Sequence, residues 1–193
     1  MERQGDFMFK HICVPVDNSD HSNRAIDVAV ELGRTSGARL TGIHVYAARL
    51  HDYRFKQMEY TLPEEYKDET ELERQRKIHD SLIAMGLQLI SESYLDVMAK
   101  KAQEASLDFE PKMIDGKHYK VLIEDTQASG YDLVVMGALG MGAVKDSQLG
   151  SVTERFVRRV NRDTLIVRNP DASPDKQGAI VVCLDRSPHS FNG

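Results

Sequence analysis

The residues best suited to chemistry lie in one glycine-rich stretch, where Gly137, Gly140 and Gly142 follow the apolar run 133–136 and Gly150 and Ser151 come shortly after. Glycines just beyond the carboxyl end of a strand let the backbone turn tightly and present N–H groups to phosphate oxygens. Ser151 and Glu154 have the spacing of a capping box, which predicts a helix starting at Gly150-Ser151. A helix start offers unpaired N–H groups and the positive end of a dipole, so the two features side by side would suit a triphosphate. The plainer reading is a tight turn and an ordinary serine cap. Asp17 ends the apolar run 12–16 and has two roles open to it. Its carboxylate could accept from an adenine amino group or a ribose hydroxyl, or it could satisfy its own turn through Ser19. His44 and Val45 end a second apolar run, where a backbone group could meet a base.

These groups meet only if the runs that precede them are neighbouring parallel strands. Residues 11–16 read as a strand ending in the turn Asp17-Asn18-Ser19-Asp20. Ala25, Val28, Ala29 and Leu32 then recur with helical spacing, with Ser19 or Asp20 as N-cap and Gly37 as terminator. Residues 40–45 form the next strand, completing a βαβ unit and hence one side of a parallel sheet. Residues 49–79, rich in charge and tyrosine, read as a solvated loop or lid passing into an exposed helix. Leu82, Met85, Leu89, Tyr94, Leu95 and Met98 continue that helix to about Ala105, with Met85 and Met98 as core filler. A strand at 109–114, a helix ending near Gly130, a central strand at 133–136, a helix at 152–160 and a strand at 164–167 follow. In an open sheet of this kind ligands sit in the crevice at the carboxyl ends of the strands.

Composition narrows the function classes. The chain has 193 residues and a formal net charge of -5, which argues against a general nucleic-acid-binding surface. Cys13 and Cys183 each lie in an apolar run, as buried reduced thiols do. The first residues lack a basic region followed by an apolar stretch, and no run approaches the roughly 18 residues of a membrane span, so a cytoplasmic location is expected. The seven histidines show no ligand spacing. The phosphate loop Gly-x4-Gly-Lys-(Ser/Thr) is absent and no carboxylate is placed as a general base, so catalysis beyond slow hydrolysis of a bound triphosphate is not expected.

Residues 12–22 align without a gap on residues 180–190, with Ile, Val, Asp, Ser, His and Ser recurring in register. Both segments are a strand ending in Asp-x-Ser-x-His-Ser, evidence of duplication at the spacing of one domain. The expected organisation is one complete nucleotide-binding-type domain at 1–170, a linker at 171–178, and the first strand of a truncated second repeat at 179–193. A fragment of a longer tandem protein is the favoured origin, and a natural short chain whose strand pairs with a neighbour is the alternative.

Gly137, Gly140, Gly150 and Ser151 match Gly-x2-Gly-x9-Gly-(Ser/Thr), and Val14-Pro15-Val16-Asp17-Asn18-Ser19 with Ser22 and Gly42-Ile43-His44-Val45 match two strand motifs. In these the chain resembles the universal stress protein family, specifically its ATP-binding branch, over 11–168 apart from the middle segment. The resemblance implies an open, Rossmann-like α/β fold with five parallel strands and helices on both faces. It implies that Asp17 and the Val45 backbone hold adenine, with Pro15 shaping the pocket. Met136 and Gly137 would lie against the nucleotide, and Gly140, Gly150, Ser151 and Val152 would gather round ribose and phosphates. ATP, with Mg²⁺ if Ser151 or water carries it, is the implied cofactor. Residues 164–167 would pair in a homodimer, or in a pseudo-dimer with a second repeat. Asn18 stands where the family often has glycine, and Ala138-Leu139 where it has polar or basic residues. A domain of the same fold that binds no nucleotide and serves interaction is the other reading.

Overall fold

The computed structural model describes residues 9–144 and 146–169. Lys145 and the expected linker and second-repeat strand lie outside the described residues. Among the described residues there are five strands and five α-helices: β1 His11–Pro15, α1 Asp20–Ser36, β2 Arg39–Tyr46, α2 Ala48–Glu59, α3 Glu69–Glu104, β3 Phe109–Asp115, α4 His118–Ala128, β4 Leu133–Gly137, α5 Ser151–Val157 and β5 Asp163–Val167. A short 3-10 turn, Glu64–Tyr66, separates α2 from α3. All strand pairs are parallel, in the order β3-β2-β1-β4-β5. The expected open five-stranded sheet is therefore present. Its two faces bury different residues of the same strands: Ile12, Val14, Leu133 and Val135 on one side, Cys13, Val134 and Met136 on the other. Continuous apolar runs, not alternation, mark strands covered on both faces.

The chain order reverses between β1 and β4, which puts the topological switch point there. The sheet also opens at that point. Val16 N–H donates to Ile43 C=O at 2.8 Å, so Val16 turns toward β2 and its neighbour Pro15 turns toward β4. Proline has no N–H, and the β1–β4 register runs only through Ile12–Leu133 and Cys13–Val134 although β4 continues to Gly137. Pro15 thus ends the ladder where a ligand crevice would start.

Residues 49–79 are not a loop. They form most of α2, the 3-10 turn and the start of α3, packed as a helical hairpin. The mixed charges that suggested solvated chain are paired at helical spacing, in Lys56–Asp52 and Lys77–Glu73, and Arg76 bridges Glu59 of α2 and Glu69. Asp68 caps α3 by accepting from Glu71 N–H, and Phe55 stacks on His79 with centroids 4.0 Å apart. The long helix ends within a residue of its expected limit. Its inward residues are Leu72, Ser91, Leu95, Met98 and Ala102, whereas Met85, expected in the core, is 65% exposed. α3 also contains one window long and apolar enough, by length and composition alone, to cross a membrane, and one face of the same helix, Leu95, Met98 and Ala102, is buried in the core.

Candidate functional site

Asp17 stands at the centre of the carboxyl edge. Its Oδ1 accepts from Ser19 N–H at 3.1 Å and from the Ser19 hydroxyl at 2.6 Å, while its Oδ2 accepts from Met141 N–H at 3.0 Å. The Ser19 hydroxyl also lies 3.2 Å from Leu139 C=O. One carboxylate therefore ties the turn after β1 to the glycine-rich loop after β4. Asn18 makes that turn possible by taking the left-handed conformation, φ 61°, a position asparagine fills more readily than most residues. Ser19 then caps α1 by accepting from Ser22 N–H, and Ser22 in turn accepts from Asp17 N–H at 3.1 Å.

The two leading glycines of the loop serve different purposes. A Cβ at Gly137 would come within 2.8 Å of the His21 carbonyl carbon and 2.9 Å of Ser22 N. Gly137 therefore lets α1 lie directly on the end of β4, a packing role. A Cβ at Gly140 would fall on Asp17 Oδ2. Gly140 thus makes room for the carboxylate under the loop, and among the described residues its N–H has no acceptor. Gly150 N–H donates to Ala138 C=O at 2.7 Å, closing the loop back on its own start.

The helix after the loop begins as expected but is capped differently. Gly150 is the N-cap and supplies no side chain, so Ser151 is the first helical residue and the capping box with Glu154 is not formed. The Ser151 side chain is exposed instead of folded onto the helix. What holds α5 in place is Thr153, buried, whose hydroxyl donates to Gly137 C=O at 3.0 Å. Val152 packs its side chain into the core, and Met136 is likewise a core side chain, 3% exposed.

Val45 reaches the crevice through its backbone. On one side of β2, Tyr46 C=O accepts from Gly116 N–H at 2.8 Å; on the other, Ile43 C=O accepts from Val16. Strand alternation turns Val45 to the same side as Ile43, past the last residue of β1, where among the described residues the β1–β2 register has ended. Its side chain is buried. The residues singled out in sequence, Pro15, Asp17, Val45, Gly137, Gly140, Gly150 and Ser151, thus converge on the switch point between β1 and β4.

Thr153 escaped sequence reading: it positions α5 and looks in sequence like an ordinary helix-start residue. Ser19, expected as a cap and as a partner of Asp17, also reaches the glycine-rich loop. His44, next to Val45, shares a 2.8 Å contact between its Nδ1 and the Ser91 hydroxyl of α3 and stands edge-on to Tyr94. Burial lowers its pKa below 6.5; the charge of His118 lowers it further and that of Asp17 opposes the shift. Burial also pushes the Cys13 thiol up, in keeping with an inert core cysteine. An open cleft of about 640 Å³ lies at the opposite edge, beside Gly130, Tyr131, Asp132 and Arg162, away from these groups.

Comparison with known proteins agrees with this architecture. The model of the universal stress protein family matches residues 8–168. Universal stress protein YxiE of Bacillus subtilis is 26% identical over 161 residues, covering 83% of this chain and all of its own. A universal stress protein solved in complex with cAMP superposes with a TM-score of 0.54 at 23% identity, over 83% of this chain and 97% of its own. A family member from Arabidopsis thaliana solved with AMP bound gives 0.53 at 16% identity, over 86% and 97%. The chain belongs to the universal stress protein family.

Proposed function

We propose that this protein is a cytoplasmic regulatory module that binds an adenine nucleotide, ATP foremost, in the crevice between the carboxyl ends of β1 and β4. The observation that carries the reading is the junction of Asp17 with the glycine-rich loop at the switch point, with Pro15 opening the ladder and Val45 beyond the end of the β1–β2 register beside it. A carboxylate and a backbone donor–acceptor pair can read the edge of adenine. Gly140, Gly150 and the first turn of α5 offer N–H groups to ribose and phosphates. Mg²⁺ would arrive with the phosphates, next to the exposed Ser151 hydroxyl. Relatives in complex with cAMP and with AMP support the choice of adenine nucleotides.

Occupancy would act by altering contacts, not by turnover beyond slow hydrolysis. β5 is an edge strand with Leu165 40% exposed, suited to pair in a homodimer or with a second repeat. A non-nucleotide interaction domain is the second reading, favoured by the engagement of both Asp17 oxygens within the protein. Titration with ATP, AMP and cAMP, with and without Mg²⁺, decides between them. Micromolar binding that is lost in Gly140→Val supports the site; no binding by the wild type sinks it, and unchanged affinity in Gly140→Val removes the loop from it.

A further inference from the structure

α3 carries apolar side chains on two faces. Leu95, Met98 and Ala102 seat it on the sheet, while on the opposite face Ile78, Leu82, Met85 and Leu89 are 49, 64, 65 and 68% exposed. These four are spaced by four, three and four residues, the narrow seam of paired helices rather than the wider stripe of a helix lying on a core. No charged residue occurs between Asp80 and Glu92. Within that stretch Gly86 has nothing within 4 Å of a Cβ built on it. The fold itself gives no reason for a glycine there, where it weakens a helix relative to alanine. A second backbone approaching closely would supply one.

We propose that α3 pairs antiparallel with α3 of a second copy of this chain, across a two-fold axis at Met85–Gly86. The ends of the seam select this occupant. With the axis there, Leu82 meets the partner's Leu89 and Gly86 meets the partner's Met85. The Glu71–Arg74 ion pair at one end falls beside the partner's Asp96–Lys100 pair, with Glu71 facing the partner's Lys100. A parallel pairing would instead set Arg74 on Arg74 and Asp96 on Asp96, like charges at the same level. A two-fold contact requires one patch to complement itself, and this patch does. The stripe exposes on the order of 500 Å² per copy, the size of the largest patch on a typical monomer and more than half of one side of a standard interface.

Sedimentation velocity of the full chain tests the pairing. Leu82→Glu with Leu89→Glu is expected to halve the mass of the wild-type assembly, with the far-UV circular dichroism unchanged because both side chains are exposed. Register is tested by oxidative cross-linking in a Cys183→Ser background. L82C with L89C should link two copies, whereas L82C alone should not, because antiparallel pairing leaves its two Cα atoms about 10 Å apart along the axis, beyond disulfide reach. An unchanged mass in the glutamate variant overturns the proposal. So does cross-linking of L82C alone, or a monomeric wild type that co-sediments with phosphatidylcholine vesicles through this face.

Discussion

Adding one methyl group at position 137 separates the two kinds of glycine in the loop. In Gly137→Ala the new Cβ would stand 2.8 to 2.9 Å from backbone and Cβ atoms of His21 and Ser22, well inside contact distance. Those atoms belong to the first turn of α1, which is not free to retreat. Ser22 is held by the Ser19 cap and by Asp17 N–H, and Ala25, Ile26 and Ala29 behind it are buried. Such overpacking costs typically about 1–3 kcal/mol. For a chain of this length each kcal/mol moves the melting temperature by roughly 2–4 °C, so a fall of about 2 to 12 °C is expected. Urea unfolding at neutral pH should show a lower midpoint with the slope preserved. An unchanged midpoint and melting temperature would refute the packing of α1 on Gly137. Gly140→Ala has no such backbone neighbour and should affect the Asp17 junction more than the melting temperature.

Further outcomes follow from single groups. Thr153→Val keeps the shape of a buried side chain but leaves Gly137 C=O without its donor; a loss of about 1 kcal/mol in urea unfolding is expected, with weaker nucleotide binding as the start of α5 loosens. His44 and His11 both have pKa values lowered in the fold, chiefly by burial. The folded state therefore favours the neutral rings, and the unfolded chain takes up protons first. The stability they confer is fully present above 6.5 and is lost as pH falls below it toward the lowered values. Urea midpoints measured from pH 7.5 to 5 should decline, and His44→Asn should flatten part of the decline; an unaltered pH dependence would contradict the burial of that ring.

Much of the fold was legible because covered parallel strands announce themselves as short apolar runs bounded by turn residues. The caps of α1, Ser19 and Gly37, were legible for the same local reason. The hairpin at 49–79 was not, since its helices are held by ion pairs and by Phe55–His79 stacking across α2 and α3, contacts that periodicity of apolar residues does not register. Met85 was misplaced because α3 is apolar on two faces, and spacing alone cannot say which face meets the sheet. At the site, motif spacing found Gly137 and Gly140 together but not their division of labour, which depends on where α1 and Asp17 lie in space. Ser151 looked like a cap because its spacing to Glu154 is right; the backbone starts the helix one residue earlier than that box requires.

The central claim is a location, and amide chemical shifts measure it directly. On titration of the full chain with AMP and then ATP, the largest shifts should fall on Val45, on Ser19 and Met141 flanking Asp17, and on Gly140 and Ser151. The Tyr131 and Arg162 amides at the amino edge should stay still. Shifts confined to the amino edge, or none at all with either nucleotide, would contradict the account.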